Sequence, residues 1–235
     1  MRPQPAVRLA ALTLAMASAS AFASASVSLM ASGEGTQLEA VAAPPEVSAE
    51  EAAPAVALPE DWNLLHGIGR HCRQAFAGRV VVNEADDGPD PVWEKGPVVL
   101  DVRDCPPGGI ILALAVGDDR SRTMVLRRQS ADQLSLRQLR HNDEGQPLPV
   151  TDFGGFSSEE SSARTAIFQA NDISRELFSR HDQSARSNSV WTLAMPDAST
   201  LVYEETSDAG RLKLEFDLGE PVEQRPLPWV EAAVR

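Results

Sequence analysis

From residue 79 onward the chain is a succession of short runs, each apolar or alternating and each closed by a turn signal. This cadence constrains the fold more than any other feature of the sequence. The runs are 79–83, 98–103, 110–116, 123–128, 133–140, 163–169, 190–195, 200–204 and 211–218. Between them stand Asp86-Asp87-Gly88-Pro89, Pro106-Pro107-Gly108-Gly109, Gly117-Asp118-Asp119, Asn142-Asp143-Glu144-Gly145 and Asp208-Ala209-Gly210, residues that set up tight turns. Leu212, Leu214 and Phe216 take one side of their run, and Arg211, Lys213 and Glu215 take the other. Leu134 and Leu136 alternate in the same way with Ser135 and Arg137. One-sided alternation puts one face in a core and the other in water.

Eight or nine such strands imply a mainly β fold, either an antiparallel lipocalin-like barrel or a β-sandwich. The meander over 110–140 favours the barrel, because closure leaves no edge strand exposed. Two helices accompany the strands. Residues 60–77 carry Trp62, Leu65, Ile68, Cys72, Ala75 and Phe76 at helical spacing, which predicts an N-terminal helix weakened by Gly67 and Gly69 at about 1 kcal/mol each. Residues 171–180 form a short internal helix, with Asn171 as N-cap, Ile173 and Leu177 on one face, and Glu176 paired with Arg180.

The N-terminal segment is set apart by composition. Arg2 and Arg8 precede an apolar stretch at 9–17, and Ala21-Phe22-Ala23 then reads as a cleavage site before Ser24. Residues 1–23 therefore read as a secretory signal peptide, too short in its apolar core to span a membrane. Residues 24–59 are rich in Ala, Ser, Pro and Glu, without an aromatic or basic side chain, and read as a disordered acidic tether. The β domain occupies 60–220 and a tail runs over 221–235. Export to the periplasm or the exterior follows from this reading.

Export gives the two cysteines their meaning. Cys72, on the predicted helix, and Cys105, just before the Pro106-Pro107-Gly108-Gly109 turn, allow one intramolecular disulfide. It closes a loop of about 34 residues, about 3.8 kcal/mol in the chain-entropy account. With no CxxC motif present, a redox role is not expected.

Charge removes further classes. Thirty-four acidic residues against 21 basic ones give a formal net charge of −13, which disfavours nucleic acid and anionic lipid as partners. The candidate chemical sites are sparse. His66 and His71 stand five apart, on different helical faces, and do not make a metal pair. Residues 83–94 half-match a calcium loop through Asn83, Asp87, Gly88 and Glu94, but Ala85 occupies a ligand position. Asp118, Asp119 and Arg122 crowd one turn, and His141 follows a later strand. An acid–base site would use Asp118, Arg122 and His141, but they lie near turns at opposite ends of two consecutive strands, 123–128 and 133–140, so a shared pocket does not follow from the sequence. Gly154-Gly155-Phe156-Ser157 lacks the second glycine of a nucleophile elbow. Trp191 and Tyr203 sit on adjacent strands and are candidates either for core or for lining a ligand cavity. No metal or cofactor is expected.

Residues 110–220 resemble a family of uncharacterised exported bacterial proteins. The resemblance is carried by Val116-Gly117-Asp118, Ser121-Arg122-Thr123, Arg140-His141, Phe153-Gly154-Gly155, 168–172, Leu177-Phe178, 188–191, Tyr203 and Glu215-Phe216-Asp217-Leu218. Members of that family often have an aromatic where this chain has Met124, and a histidine-rich strand where it has Arg137 and Leu139. The resemblance implies no activity.

The expectation is an exported, non-enzymatic β domain that binds a small apolar ligand or serves as an envelope accessory. An exported hydrolase-like enzyme using Asp118, Arg122 and His141, and a protein-interaction domain on the acidic tether, are the alternatives. Oligomeric state is not legible. Mass spectrometry of the alkylated, unreduced mature protein should find neither cysteine alkylated; two free thiols would remove the disulfide from the account.

Overall fold

The computed structural model describes residues 63–85 and 90–232, all within the compact unit Ala52–Arg235. The segments read as signal peptide and tether lie outside the described residues, as do Trp62 and the Asp86-Asp87-Gly88-Pro89 turn.

Ten antiparallel strands close into a barrel in which every neighbour in space is a neighbour in sequence, β1 excepted, which pairs with both β2 and β10. The strands are β1 (Ala75–Ala85), β2 (Val98–Asp104), β3 (Gly109–Val116), β4 (Asp119–Arg128), β5 (Leu134–Arg140), β6 (Phe153–Ser157), β7 (Thr165–Ala170), β8 (Val190–Ala194), β9 (Thr200–Ser207) and β10 (Gly210–Pro221). The architecture is thus the lipocalin-like up-and-down barrel and not the sandwich. Its interior is set by the period-two alternation of the strands. Leu100, Leu112, Leu126, Leu136, Phe168, Trp191, Leu193 and Phe216 point inward and are almost fully buried.

Only Ala75–Gly78 of β1 pairs with β2, against Val98–Asp101. Beyond Gly78, β1 keeps β10 alone, as far as Ala85 opposite Gly210. The seam between β1 and β2 therefore opens toward one end of the barrel. A 3₁₀ helix at Pro91–Glu94 stands in that opening, capped by the Asp90 carboxylate, which accepts from Val92 N at 2.9 Å. Asn83 braces it by accepting from Asp90 N at 3.1 Å and donating to Asp90 O at 3.0 Å.

The opposite end is plugged. Helix α1 (Leu64–Gly69) buries Leu64, Leu65 and Ile68 in the core, and Leu64 N donates to Ala163 O at 2.7 Å. The helix is much shorter than 60–77. Two glycines weaken its interior, and Arg73 adopts φ 64° and donates its N–H to Val102 O, which sends the chain into β1. Ala75 and Phe76 accordingly bury as strand residues. Cys72 sits in the turn after α1, not on its face, and is bonded to Cys105 with Cα atoms 6.1 Å apart. The disulfide ties the α1–β1 turn to the β2–β3 turn at the plugged end.

Helix α2 (Asp172–Arg180) begins where expected: the Asn171 side chain accepts from Ser174 N at 2.9 Å. Glu176 and Arg180 are 3.6 Å apart. The buried face, however, is Ser174 and Phe178, and Ile173 is 70% exposed. Ser174 faces inward because its Oγ bridges N and O of Gly154, both at 2.8 Å, a contact that periodicity does not reveal.

Strand β6 lies between the expected runs 133–140 and 163–169, in a stretch where Gly154-Gly155 breaks any apolar alternation. Here the glycines are required by close approach: a Cβ on Gly155 would lie 1.7 Å from Gln169 O, and one on Gly154 1.9 Å from Leu136 O. Phe156 and Ser157 lie in this strand, and Ser157 Oγ accepts from Leu134 N at 2.9 Å.

The residues after Pro221 lie against the outer wall. Arg225 donates to the fully buried Asp101 on β2 at 2.7 and 3.0 Å, Glu231 pairs with Arg103, and Trp229 N donates to Arg120 O at 3.2 Å. Between these anchors Ile111, Ala113 and Ala115 of β3 are buried, so this strand has no wet face.

Substituting Gly155→Ala should cost more than about 2 kcal/mol in chemical denaturation, since two backbones must part. Gly69→Ala, whose Cβ would meet only Ile110 Cδ1 at 3.5 Å, should be neutral or stabilising by about 0.5 kcal/mol.

Candidate functional site

Strand order places the end of β3, the start of β4, the end of β5, the start of β6, the end of β9 and the start of β10 around the open end. Inward-pointing side chains there do not meet. They leave a cavity of about 380 Å³. Leu114, Met124 and Phe153 form its apolar floor, Trp93 of the 3₁₀ helix stands at its side, and Trp191 packs beneath it with its ring 5.8 Å from that of Phe153.

The polar part of the wall is a ring of charges. Arg122 and Arg140 are directly opposite across β4 and β5, a like-charge pairing that opposes folding. Arg122 donates to the Asp119 carboxylate at 2.5 Å and lies over the Trp93 ring at 5.0 Å. Arg186, from the short 3₁₀ helix Ser184–Arg186 after α2, pairs with Glu205 at 2.9 Å and covers the rings of Phe153 and Phe178. The Arg140 backbone is bonded, its N–H donating to Thr151 Oγ1 at 2.6 Å and its O accepting from Leu148 N at 2.9 Å, but its side chain has no ion pair among the described residues and its buried Nε is unsatisfied. Burial, then repulsion from Arg122, draws its pKa down to about 10, with Asp119 opposing; it remains a cation at neutral pH.

Tyr203, inside the wall on β9, donates its one hydroxyl proton to the nearer acceptor, Gln138 Oε1 at 3.2 Å, with Glu205 Oε2 3.4 Å from the same oxygen. The Gln138 Nε2 group is buried and unsatisfied, as is Trp191 Nε1 beneath the floor. Among the described residues, three N–H donors around this end of the barrel thus lack an acceptor, which is costly for buried polar groups.

The structure divides the sequence candidates. Antiparallel pairing brings Asp118, Asp119 and His141 to the same rim, where they border an open depression outside the mouth, while Arg122 turns into the cavity. Asp118 is exposed. Burial raises the pKa of Asp119, but hydrogen bonds from Ser121 and the Arg122 charge outweigh it and hold the carboxyl below its ordinary value. An ionised, paired Asp119 is no proton donor at neutral pH. Tyr203 lines the cavity; Trp191 belongs to the packed core. His66 is exposed on α1, and His71 packs edge-on against Phe76 at 5.4 Å. Of the calcium-loop residues, Asp87 and Gly88 lie outside the described residues, and the Asn83 side chain is engaged with Asp90. Sequence reading did not single out Gln138, Arg140 or Arg186 as site residues. The available signal was the placement of Gln138 and Arg140 on the inward parity of β5, with Leu136.

Among the described residues, no helix is long and apolar enough to cross a membrane. Comparison with family models, with curated proteins and with solved structures finds no match.

The chain has a single tyrosine, so its titration can be read directly. Burial first, and the neighbouring Glu205 second, raise the Tyr203 pKa well above its ordinary value. The neutral phenol is therefore favoured by folding. Its contribution is fully present below the unfolded pKa of about 10 and is lost as pH rises beyond it. Ultraviolet absorbance should record no phenolate in folded protein at about pH 10, and ionisation should coincide with unfolding seen by circular dichroism.

Proposed function

We propose that the protein is an exported, non-enzymatic binding domain that holds a small amphipathic molecule in the mouth of its barrel. One observation carries the reading: a closed barrel, packed and plugged at one end, keeps at the other a cavity with an apolar floor and a few convergent polar groups. Such a combination is the usual form of a small-molecule site. Filling the space with protein would have stabilised the fold, since unfilled volume and unsatisfied N–H groups both cost stability.

The hydrolase reading has less support. Asp118 and His141 border a different hollow from Arg122, and Asp119 is committed to its ion pair. Export is proposed from the N-terminal sequence, and the Cys72–Cys105 disulfide supports it, because such bonds persist in oxidising compartments.

Native mass spectrometry of protein purified from its own envelope tests the proposal. A small-molecule adduct on the folded chain is expected, and it should be absent from a Met124→Trp variant, whose indole would occupy the cavity floor. A bare chain in both cases would overturn it.

A further inference from the structure

The binding reading leaves open what kind of molecule the mouth takes, and the arginines narrow it. Arg122 and Arg186 each have a carboxylate partner, Asp119 and Glu205. At the outer rim Arg211 is paired with Glu204 at 2.7 Å, with Glu84 also nearby, and Asp90 caps its own helix. Among the described residues of this wall, Arg140 is the cation with no acid of its own. Resting on the reading of the mouth as a binding pocket, we propose that its ligand is an amphipathic monocarboxylate whose head group is received by Arg140 and Gln138 and whose tail lies on the apolar floor.

Three physical points lead there. First, a half-buried guanidinium whose Nε lacks an acceptor, and whose nearby acids Asp119 and Glu205 are already paired with Arg122 and Arg186, is destabilising, and setting it directly opposite Arg122 adds to the cost. An arginine kept only for structure would be matched by an acid, as the two beside it are. Second, the missing acceptors are oxygens. Arg140 Nε and Gln138 Nε2 are both donors with nothing to donate to, and a carboxylate has two oxygens and no proton to clash with them. Tyr203 keeps the Gln138 amide in this sense by donating to its Oε1, which leaves the Nε2 side for a ligand. Third, one unbalanced positive charge matches a single negative one. A dianionic head would leave a buried negative charge unmatched, and a cation would face Arg140 directly. The depressed pKa of Arg140, drawn to about 10 by burial and Arg122, agrees with a site whose counter-ion arrives with the ligand.

Calorimetric titration of the wild-type protein with decanoate, decanol and decyltrimethylammonium separates charge from tail. Decanoate is expected to bind at least about tenfold more tightly than either of the others. In Arg140→Gln that preference should vanish while decanol binding is unchanged. The ligand-free Arg140→Gln protein should also melt at a higher temperature than wild type, because an unpaired charge has been removed; an arginine with a purely structural role would give a lower one. Equal binding of decanol and decanoate, or a preference that survives in Arg140→Gln, would overturn the carboxylate while leaving the pocket in place. Failure of all three molecules to bind wild type would overturn both.

Discussion

The fold depends on the closure of β1 against two neighbours at once. A strand at the edge of an open sheet leaves a row of N–H and C=O groups without partners. Here β1 joins β10 along most of its length and β2 over Ala75–Gly78, so the sheet has no free edge at the plugged end. Closure imposes an enclosed interior, and enclosed volume must be filled or carry a cost. Leu64, Leu65 and Ile68 of α1 fill it from below, and the disulfide holds the turns on which that plug is mounted.

Because β1 parts from β2 after Gly78, the same closure is incomplete at the other end. The 3₁₀ helix with Trp93 occupies the gap, and Arg122 lies over its ring. Phe178 and Arg186, contributed by the segment between β7 and β8, lean over from the far side. The mouth is thus assembled from elements far apart in sequence around a wall where Arg122 and Arg140 face each other. Asp119, Glu205 and Glu204 neutralise Arg122, Arg186 and, at the rim, Arg211. The residual charge and the unsatisfied donors define the chemistry that the site can accept.

Much of the fold was legible because β periodicity is local. Each inward set, such as Leu212, Leu214 and Phe216, declares its side within a few residues, and the turn signals separate one strand from the next. The disulfide was legible because the chain has just two cysteines. Asn171 was legible as a cap because the cap contact spans three residues. What failed was what local pattern cannot carry. The residues after Gly69 kept a helical spacing of apolar side chains, yet sheet pairing with Val98–Asp101 and with β10 offered Ala75 and Phe76 more than a helix interrupted by glycines. Strand β6 was not legible because nothing in sequence announces that Gly154-Gly155 must admit a neighbouring carbonyl 1.7 Å from a would-be Cβ. The apolar outer residues of β3 had their reason in the C-terminal residues, more than a hundred positions away, that lie against the barrel wall.

The sequence alone determined the fold class, the single covalent cross-link and an acidic character that disfavours anionic polymers as partners, since all three follow from residue type and short-range spacing. Tertiary structure decided where the chemistry lies. Arg122, Gln138, Arg140, Arg186, Tyr203 and Glu205 come from four separate segments, and no spacing rule relates them. Only barrel closure, which fixes strand register and with it the inward parity of each side chain, brings them to one wall. Whether a charge is balanced is in part a property of that wall: Asp119 stands three residues from Arg122 in sequence, but the Glu205 partner of Arg186 and the lack of a partner at Arg140 follow from the tertiary arrangement alone.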